Sequence, residues 1–374
     1  MSSQPITSTR DANPVSLSYS SLHYSSLDNG SLHNSFRNKT VLLLVLTALL
    51  GLLFVASLRF GYTAFADVSL WSLLQKLWSD DTLLEPQMLN LLSVIRDLRL
   101  PRAVIAASVG ACLGMAGVLT QGITRNGLAS PGVLGITAGA GFCIVLAFTL
   151  FGISAPEQMM WFSFIGSLGS AALIFLLAGF SATVSGPLGL TLAGIALGAL
   201  LSSWSSGLLV LNEAAQSELM LWLTGNIEGR KLAHALPLLP FAFAGTVVAL
   251  GLSRSLNTLA LGEETAQGLG INLGRLRLGA LIAVVLLTGS AVAMAGPVGF
   301  IGLIVPHVCR VLLGIDYRWL LPAAGLAGAS LLTAADISAR FLFFPSEVPV
   351  GLAMAVLGAP FFIYLACRRR GAVL

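Results

Sequence analysis

The sequence predicts an all-α polytopic membrane protein with about ten transmembrane helices, and three features of its composition support this fold class. Of its 374 residues, 56% are hydrophobic and only 10% are charged, whereas soluble chains carry roughly 25% charged residues. The mean hydropathy is +0.89. The 40 glycines and 15 prolines suit membrane helices, which pack closely through small residues. Stretches such as 133–152 and 188–211 are apolar on every face, which excludes the alternating pattern of outer-membrane barrel strands.

The chain begins with a polar segment that differs from everything after it. Residues 1–39 are rich in serine and repeat Ser-Leu every five residues from Ser16 to Ser31, a composition that cannot bury a core and predicts a disordered tail. The apolar run from Thr40 to Leu58 lacks a small-residue cleavage site at its end, so it is expected to be the first span rather than a removed signal peptide. Residues 40–367 are expected to form one membrane domain, and residues 368–374 a short basic C-terminus.

The spans follow from the length of the apolar stretches, since one crossing of a bilayer needs about 20 apolar residues. On this basis ten crossings are expected, in chain order at 40–60, 103–121, 132–152, 160–182, 188–211, 234–253, 277–295, 299–314, 319–336 and 348–367.

The loop charges predict the orientation, because cytoplasmic loops carry an excess of Lys and Arg. An even number of spans places both termini on one side of the membrane. If that side is the cytoplasm, the inner segments hold twelve of the 20 basic residues and five of the 16 acidic ones. The basic ones are Arg10, Arg37, Lys39, Arg125, Arg254, Arg275, Arg277, Arg310, Arg318, Arg368, Arg369 and Arg370, and the acidic ones are Asp11, Asp28, Glu263, Glu264 and Asp316. Both termini are therefore expected in the cytoplasm, and the net charge of +4 reflects topology rather than a nucleic-acid partner.

The energy source is predicted to lie outside this chain. No charged residue occurs between Glu157 and Glu213, although proton-driven carriers usually keep acids or histidines at mid-membrane depth. A secondary carrier is therefore disfavoured, though it stays an alternative. The lysines at 39, 76 and 231 follow Asn, Gln and Arg rather than the glycine of a phosphate-binding loop. Any ATPase must then be a separate subunit.

No residue pattern predicts a catalytic or metal site. His307 and His234 lack the spacing of a zinc-binding helix, and the four cysteines form no Cys-x-x-Cys pair. The serines of the fifth span have no histidine within that span to act as a base, so they are expected to pack or to line a cavity. The chain is thus predicted to be a transport subunit rather than an enzyme, with no cofactor and no metal of its own.

Five motifs then give the sequence a specific resemblance. They are Leu98 to Arg102 (LRLPR), Thr124 to Gly135 (TRNGLASPGVLG), Leu259 to Gly270 (LALGEETAQGLG), Gly296 to Arg310 (GPVGFIGLIVPHVCR), and Pro345 to Gly351 (PSEVPVG), which runs on to Gly358 to Phe362 (GAPFF). In their order and spacing, from about residue 96 to residue 367, the chain resembles the FecCD/BtuC-like permeases of binding-protein-dependent ABC importers for iron-siderophore complexes, haem and cobalamin. Two positions depart from the family pattern: Gly127 replaces its usual proline, and Ser130 stands where an acid is common.

The resemblance implies a type II ABC importer permease in the bacterial cytoplasmic (inner) membrane. Such a chain pairs with a second copy or with a homologous permease. Two ATPase subunits bind its cytoplasmic face and use the ATP, and a periplasmic or lipoprotein substrate-binding protein docks outside. An iron-siderophore complex is the first expectation for the cargo, because it is the commonest cargo of the family. Haem and cobalamin are the alternatives.

The resemblance also assigns residues to roles. Arg99 and Arg340 are expected to offer guanidinium groups to acids of the binding protein. The alternative is that both arginines anchor the chain at the membrane interface, with Asp336 and Arg340 paired four residues apart on one helix. Coupling to the ATPases is expected at a short cytoplasmic helix containing Gly262, Glu263, Glu264, Thr265, Gly268 and Leu269.

The cytoplasmic gate and the pathway walls complete the expected sites. By resemblance, the turn holding Asn126 and Leu128 narrows the exit, although an asparagine there could equally cap the turn. The walls are expected to include serines of the fifth span and glycines of the tenth, namely Ser202, Ser203, Ser206, Gly351 and Gly358.

Overall fold

The computed structural model describes residues 29–60, 86–180, 187–210, 213–342 and 347–370. All regular elements within these ranges are helices, so the all-α prediction is confirmed. Contacts divide the chain into two units, Met1–Val41 and Leu42–Leu374. The described part of the first unit is the start of the first helix, and the second unit contains the rest of the helical bundle.

Fourteen described helices build the fold, with a π-helical turn at Val94–Arg99 leading into the third and a 3-10 turn at Pro131–Leu134 leading into the fourth. In chain order they are α1 Asn29–Arg59, α2 Pro86–Ser93, α3 Leu100–Thr124, α4 Ile136–Phe151, α5 Pro156–Phe180, α6 Pro187–Val210, α7 Glu213–Leu223, α8 Leu232–Gly251, α9 Ser253–Ala260, α10 Glu263–Gly268, α11 Leu273–Ala295, α12 Ile301–Leu313, α13 Tyr317–Ala339 and α14 Val350–Arg370.

Each of the ten predicted spans coincides with one of these helices. Seven candidates are long and apolar enough to cross a membrane. Six lie within α1, α5, α6, α8, α11 and α13, and the remaining one, Leu89–Thr124, runs from α2 through the π-helical turn to the end of α3. The other three, α4, α12 and the apolar part of α14, are shorter. Glycines bound two of the shorter helices. Gly135 precedes α4 and Gly314 follows α12, and both adopt positive φ, where a helix ends easily.

The N-terminal boundary differs from the prediction. Helix α1 begins at Asn29, so residues 29–39 of the predicted disordered tail are helical, while residues 1–28 lie outside the described residues. Extending an existing helix by a residue costs far less than nucleating a new one, so an apolar span can extend into a polar segment. At the other end α14 continues to Arg370, which makes residues 368–370 of the basic C-terminus helical.

Three helices form the centre of the bundle. In the segment Leu89–Thr124, which includes α3, and in α11, 78% of the most apolar window is buried within the chain. In α13 the share is 67%, whereas for α1 it is 11%. Glycines allow α3 and α13 to touch backbone to backbone: a Cβ atom built on Gly110 would lie 2.3 Å from the carbonyl oxygen of Gly328. Close approach through small residues is the usual way in which membrane helices associate. Backbone contact between α3 and α13 therefore adds to the buried apolar side chains that form the rest of the centre.

We expect the Gly110→Ala substitution to destabilise the protein, because the added methyl group would meet the main chain of α13, which cannot move aside like a flexible side chain. Overpacking of this kind typically costs about 1–3 kcal/mol. The measurement is the thermal unfolding midpoint in detergent. Gly169→Ala in α5 is the matched control, because among the described residues no atom beyond its own turns of helix lies within 4 Å of its new methyl group. Equal midpoints for the two variants would contradict the packing role of Gly110.

Candidate functional site

Polar and charged side chains collect at both ends of the central helices. At the start of α3 lie Arg99 and Arg102, and at its end lie Gln121 and Arg125. The 25 residues of α3, at a rise of 1.5 Å each, separate these groups by about 37 Å. The bundle therefore has two distinct candidate sites, here called the Arg99 end and the Arg125 end.

A buried ion network occupies the Arg99 end. The carboxylate of Asp336, which is 0% exposed, accepts a hydrogen bond from Arg102 Nε at 2.7 Å on one oxygen and from Arg340 Nη2 on the other. Arg102 Nη1 also donates to Glu347, just before α14. We call Arg102, Asp336, Arg340 and Glu347 the Asp336 network. It joins the start of α3, the end of α13 and the approach to α14.

Two arginines at this end also hold the last turn of α1. The final carbonyl groups of a helix have no partner within the helix and carry the negative end of its dipole, so cationic donors stabilise them. Arg99 and Arg340 supply such donors at 2.7–2.8 Å. The accepting oxygens are those of Leu58 and Arg59 for Arg99, and those of Ser57 and Phe60 for Arg340. Arginine side chains thus fasten one end of a helix that is otherwise little buried.

The structure brings the two predicted docking arginines together, but it places them inside the chain. Arg99 is 5% exposed and Arg340 is 7% exposed, and the predicted pairing of Asp336 with Arg340 is present. Both line a cavity of about 320 Å³ whose wall also includes Arg102, Arg230 and acidic groups. Docking of a binding protein here stays a prediction. In this structure the guanidinium groups already have partners.

Sequence reasoning missed Arg102 and Glu347 as partners in this network. Both lie inside motifs that were used for the resemblance, Leu98 to Arg102 and Pro345 to Gly351. The sequence did contain a signal for this contact. Arg102 and Glu347 carry opposite charges, and the predicted topology places both at span ends on the same side of the membrane. Their contact joins residues 245 positions apart in sequence.

The Arg125 end presents the predicted coupling helix. Gly262, with φ of 126°, turns the chain into α10, and Ala266 is buried beneath it. Glu263 accepts a hydrogen bond from Arg277 Nη2 at 2.9 Å, which ties α10 to α11. The opposite side of the segment is exposed, including the apolar side chains of Leu261 (69%) and Leu269 (65%). The exposed members of the predicted set are Glu264, Thr265, Gly268 and Leu269. We call this surface, from Leu261 to Leu269, the coupling face.

The two predicted gate residues share one turn directly after α3. The side-chain oxygen of Asn126 accepts a hydrogen bond from the backbone amide of Leu128 at 3.0 Å. The capping role, which is the alternative to a gate, is therefore present. Arg125, at the end of α3, has φ of 50° and helps the chain to reverse. Narrowing of an exit by Leu128 stays a prediction.

The predicted pathway residues divide into two groups. Ser202, Ser203 and Ser206 are exposed together on α6, and the hydroxyl groups of Ser203 and Ser206 donate to carbonyls one turn earlier. The two glycines pack against other parts of the chain instead. The backbone amide of Gly351 donates to the carbonyl of Gly225 at 2.9 Å, and Gly358 is buried against the ring of Phe300. The serines thus occupy an open surface of this chain, whereas the glycines serve close packing.

Comparison with known proteins gives the same family from the sequence and from the fold. Residues 41–368 match the model of the FecCD transport family. YfiZ of Bacillus subtilis, named a probable siderophore transport system permease protein, is 46% identical over 75% of this chain and 84% of its own length. HmuU of Yersinia pestis, a hemin transport system permease protein, is 40% identical over 73% and 83%. A solved structure, described as a metal-chelate type ABC transporter in an inward-facing conformation, superposes with a TM-score of 0.75 at 31% identity, covering 87% of this chain and 98% of the other.

We expect Asp336→Asn to destabilise the protein strongly, because Arg102 and Arg340 would lose the buried anion that neutralises them. Removing one partner from a buried ion pair typically costs about 3–5 kcal/mol. Denaturant unfolding in detergent measures the loss. Asp97→Asn is the control, since Asp97 is an exposed acid at the same end of the bundle and a surface change there should cost less than about 0.5 kcal/mol. Unchanged stability of Asp336→Asn would contradict the role of the network.

Proposed function

This chain belongs to the FecCD transport family, and on that premise we propose that it is the transmembrane permease subunit of an ABC importer that carries an iron-siderophore complex across the bacterial cytoplasmic membrane. It is a multi-pass membrane protein with the apolar helices of a transporter. The family match over residues 41–368 is the observation that carries the proposal.

Relatives support the proposed cargo class and leave one alternative. A siderophore permease and a hemin permease are similar to this chain at 46% and 40% identity over nearly the same share of it. We place the iron-siderophore complex first, because the similar proteins include permeases named for siderophores, iron(3+)-hydroxamate and ferric enterobactin, and one named for Fe(3+)-citrate. Haem is the alternative that HmuU favours, and cobalamin rests on the resemblance alone.

The proposed energy source is ATP that is hydrolysed by two partner ATPase subunits, with no cofactor bound by this chain. The geometry of the coupling face supports this role. Leu261 and Leu269 are exposed at a polar end of the bundle, where a partner surface would bury them favourably. Glu263 and Ala266 attach α10 firmly to the body of the chain. Because α10 is exposed on one side and attached to the bundle on the other, it can transmit movement of a bound ATPase subunit to the spans.

The remaining partners follow from the two ends of the bundle. We place the Arg125 end and both termini in the cytoplasm, because the segments expected there hold the excess of basic residues. The Arg99 end then faces outward, and a substrate-binding protein would insert acidic side chains into the charged cavity beside Arg99 and Arg340.

A second permease copy or a homologue would face the exposed serines of α6, where a lipid contact would leave hydroxyl groups in an apolar environment.

ATP-dependent uptake is the first expected outcome. In right-side-out vesicles that hold the complete transporter, depleting ATP should stop uptake of a ferric siderophore. A protonophore should leave uptake intact while ATP is maintained. The purified chain alone in liposomes should neither hydrolyse ATP nor transport. Uptake that stops with the protonophore while ATP remains plentiful would support a secondary carrier instead.

The coupling face gives a second expected outcome. Leu269→Ala should weaken binding of the ATPase subunits and lower transport-coupled hydrolysis, because it removes exposed apolar surface worth roughly 1–2 kcal/mol if it becomes buried in the complex. Membrane abundance should not change, since the side chain packs little within this chain. Leu342→Ala is the matched control, because Leu342 is an exposed leucine at the opposite end of the bundle. Equal ATPase binding by both variants would remove Leu269 from the interface.

A further inference from the structure

A cavity beside the coupling face carries positive charge with no carboxylate in its wall. Its volume is about 420 Å³, and it lies where the ends of α3, α9 and α12 meet the start of α13. Arg125 and Arg310 both line it, together with Gln121 and Tyr317. Among the described residues that line this cavity, none is acidic. We call it the Arg125–Arg310 cavity.

Arg310 faces a neutral partner in this cavity. Its Nη1 atom donates to the side-chain oxygen of Gln121, and the amide nitrogen of Gln121 donates in turn to the carbonyl of Gly302 at 3.3 Å. Gln121 is almost fully buried, so these two bonds orient its amide toward the guanidinium group. An amide satisfies a donor but does not neutralise a charge. The positive charge of Arg310 therefore remains available to an anion in the cavity.

Arg125 adds a second charge that is only weakly compensated. Its Nη2 atom donates to the carbonyl of Leu259 at 2.9 Å, which fixes the side chain against the end of α9. The nearest acid, Glu263, lies 4.0 Å from Arg125 Nε but only 2.9 Å from Arg277 Nη2. Arg277 does not line the cavity. The carboxylate is thus held toward α11, and the cavity keeps a positive field.

We propose that the Arg125–Arg310 cavity receives an aspartate or glutamate side chain of the ATPase subunit that docks on the coupling face. This inference rests on the proposed function. Leu261 and Gly262 belong to the coupling segment and also line the cavity, so a protein that covers the coupling face also covers the cavity entrance. A carboxylate matches the charge and can accept hydrogen bonds from more than one guanidinium donor.

The position of the cavity gives the contact a mechanical role. Arg125 is the residue directly after α3, and the turn with Asn126 and Leu128 follows it immediately. A carboxylate bound at Arg125 and Arg310 would join the ATPase to α3 and α12 as well as to α10. Movement of the ATPase would then reach the predicted gate turn through a charged contact and not only through the coupling helix.

The test measures the affinity of the ATPase subunits for the permease in nanodiscs across a salt series, with the subunits that co-purify with this chain from its native membrane. Arg310→Gln and Arg125→Gln should each weaken binding about tenfold at low salt and reduce the salt dependence, because each removes a charge from the contact. Arg318→Gln is the control, since Arg318 is exposed at the same end but does not line the cavity. The control should bind like the wild type. Wild-type affinity and salt dependence in both cavity variants would overturn the inference.

Two further experiments distinguish the ATPase contact from binding of a lipid headgroup and from misfolding of a variant. The same affinities are measured in nanodiscs of neutral phosphatidylcholine and of anionic phosphatidylglycerol. A defect seen only in the anionic lipid would assign the cavity to a lipid headgroup and overturn the ATPase contact. Thermal unfolding checks each variant, and if Arg310→Gln fails to fold, Arg125→Gln decides the question because its side chain is the more exposed. Failure of the wild type itself to bind any ATPase would reject the proposed function, which is a different result from equal binding by wild type and variants.

Discussion

The neutralisation of Asp336 by two arginines is the interaction on which the Arg99 end of the bundle depends. A carboxylate with no exposed surface is tolerated only when it is paired and hydrogen-bonded, and here Arg102 and Arg340 each bind one of its oxygens. The same arginines extend the contact to Glu347 and to the last turn of α1. One buried charge thereby fixes the relative positions of four helices, including α1, which has little other burial.

The Asp336 network is linked to the Arg125 end because α3 and α13, which run between the two ends, pack in direct contact. Asp336 lies near the end of α13, and Tyr317 at the start of α13 lines the Arg125–Arg310 cavity. Between them, α3 and α13 touch at Gly110 and Gly328 through main-chain atoms. Interfaces of this kind shift as units rather than deforming gradually. A change at one end of the pair is therefore expected to change the position of the other end.

The sequence predicted the spans well and the interior contacts poorly, and the reason is physical. Apolar length predicts membrane helices, and each of the ten predicted spans coincides with a helix, of which seven are long and apolar enough to cross a membrane and three are shorter. The start of α1 at Asn29 was missed because local polarity says nothing about extension from an adjoining apolar helix. Arg99 lies directly before α3, and Arg340 lies directly after α13. Their partners, the carbonyl groups at the end of α1, lie 40 to 283 residues away and carry no side-chain signature in the sequence.

A double-mutant cycle between Arg102 and Asp336 tests the central claim most directly. The free energy of unfolding is measured in detergent for the wild type, Arg102→Met, Asp336→Leu and the double variant. If Arg102 and Asp336 interact in the folded protein, the double variant should be less destabilised than the sum of the single variants by about 1–3 kcal/mol. The reason is that the double change loses the Arg102–Asp336 contact once, whereas the sum of the two single changes counts its loss twice. Strict additivity of the two changes would contradict the account, since it would mean that the two side chains do not interact in the folded protein.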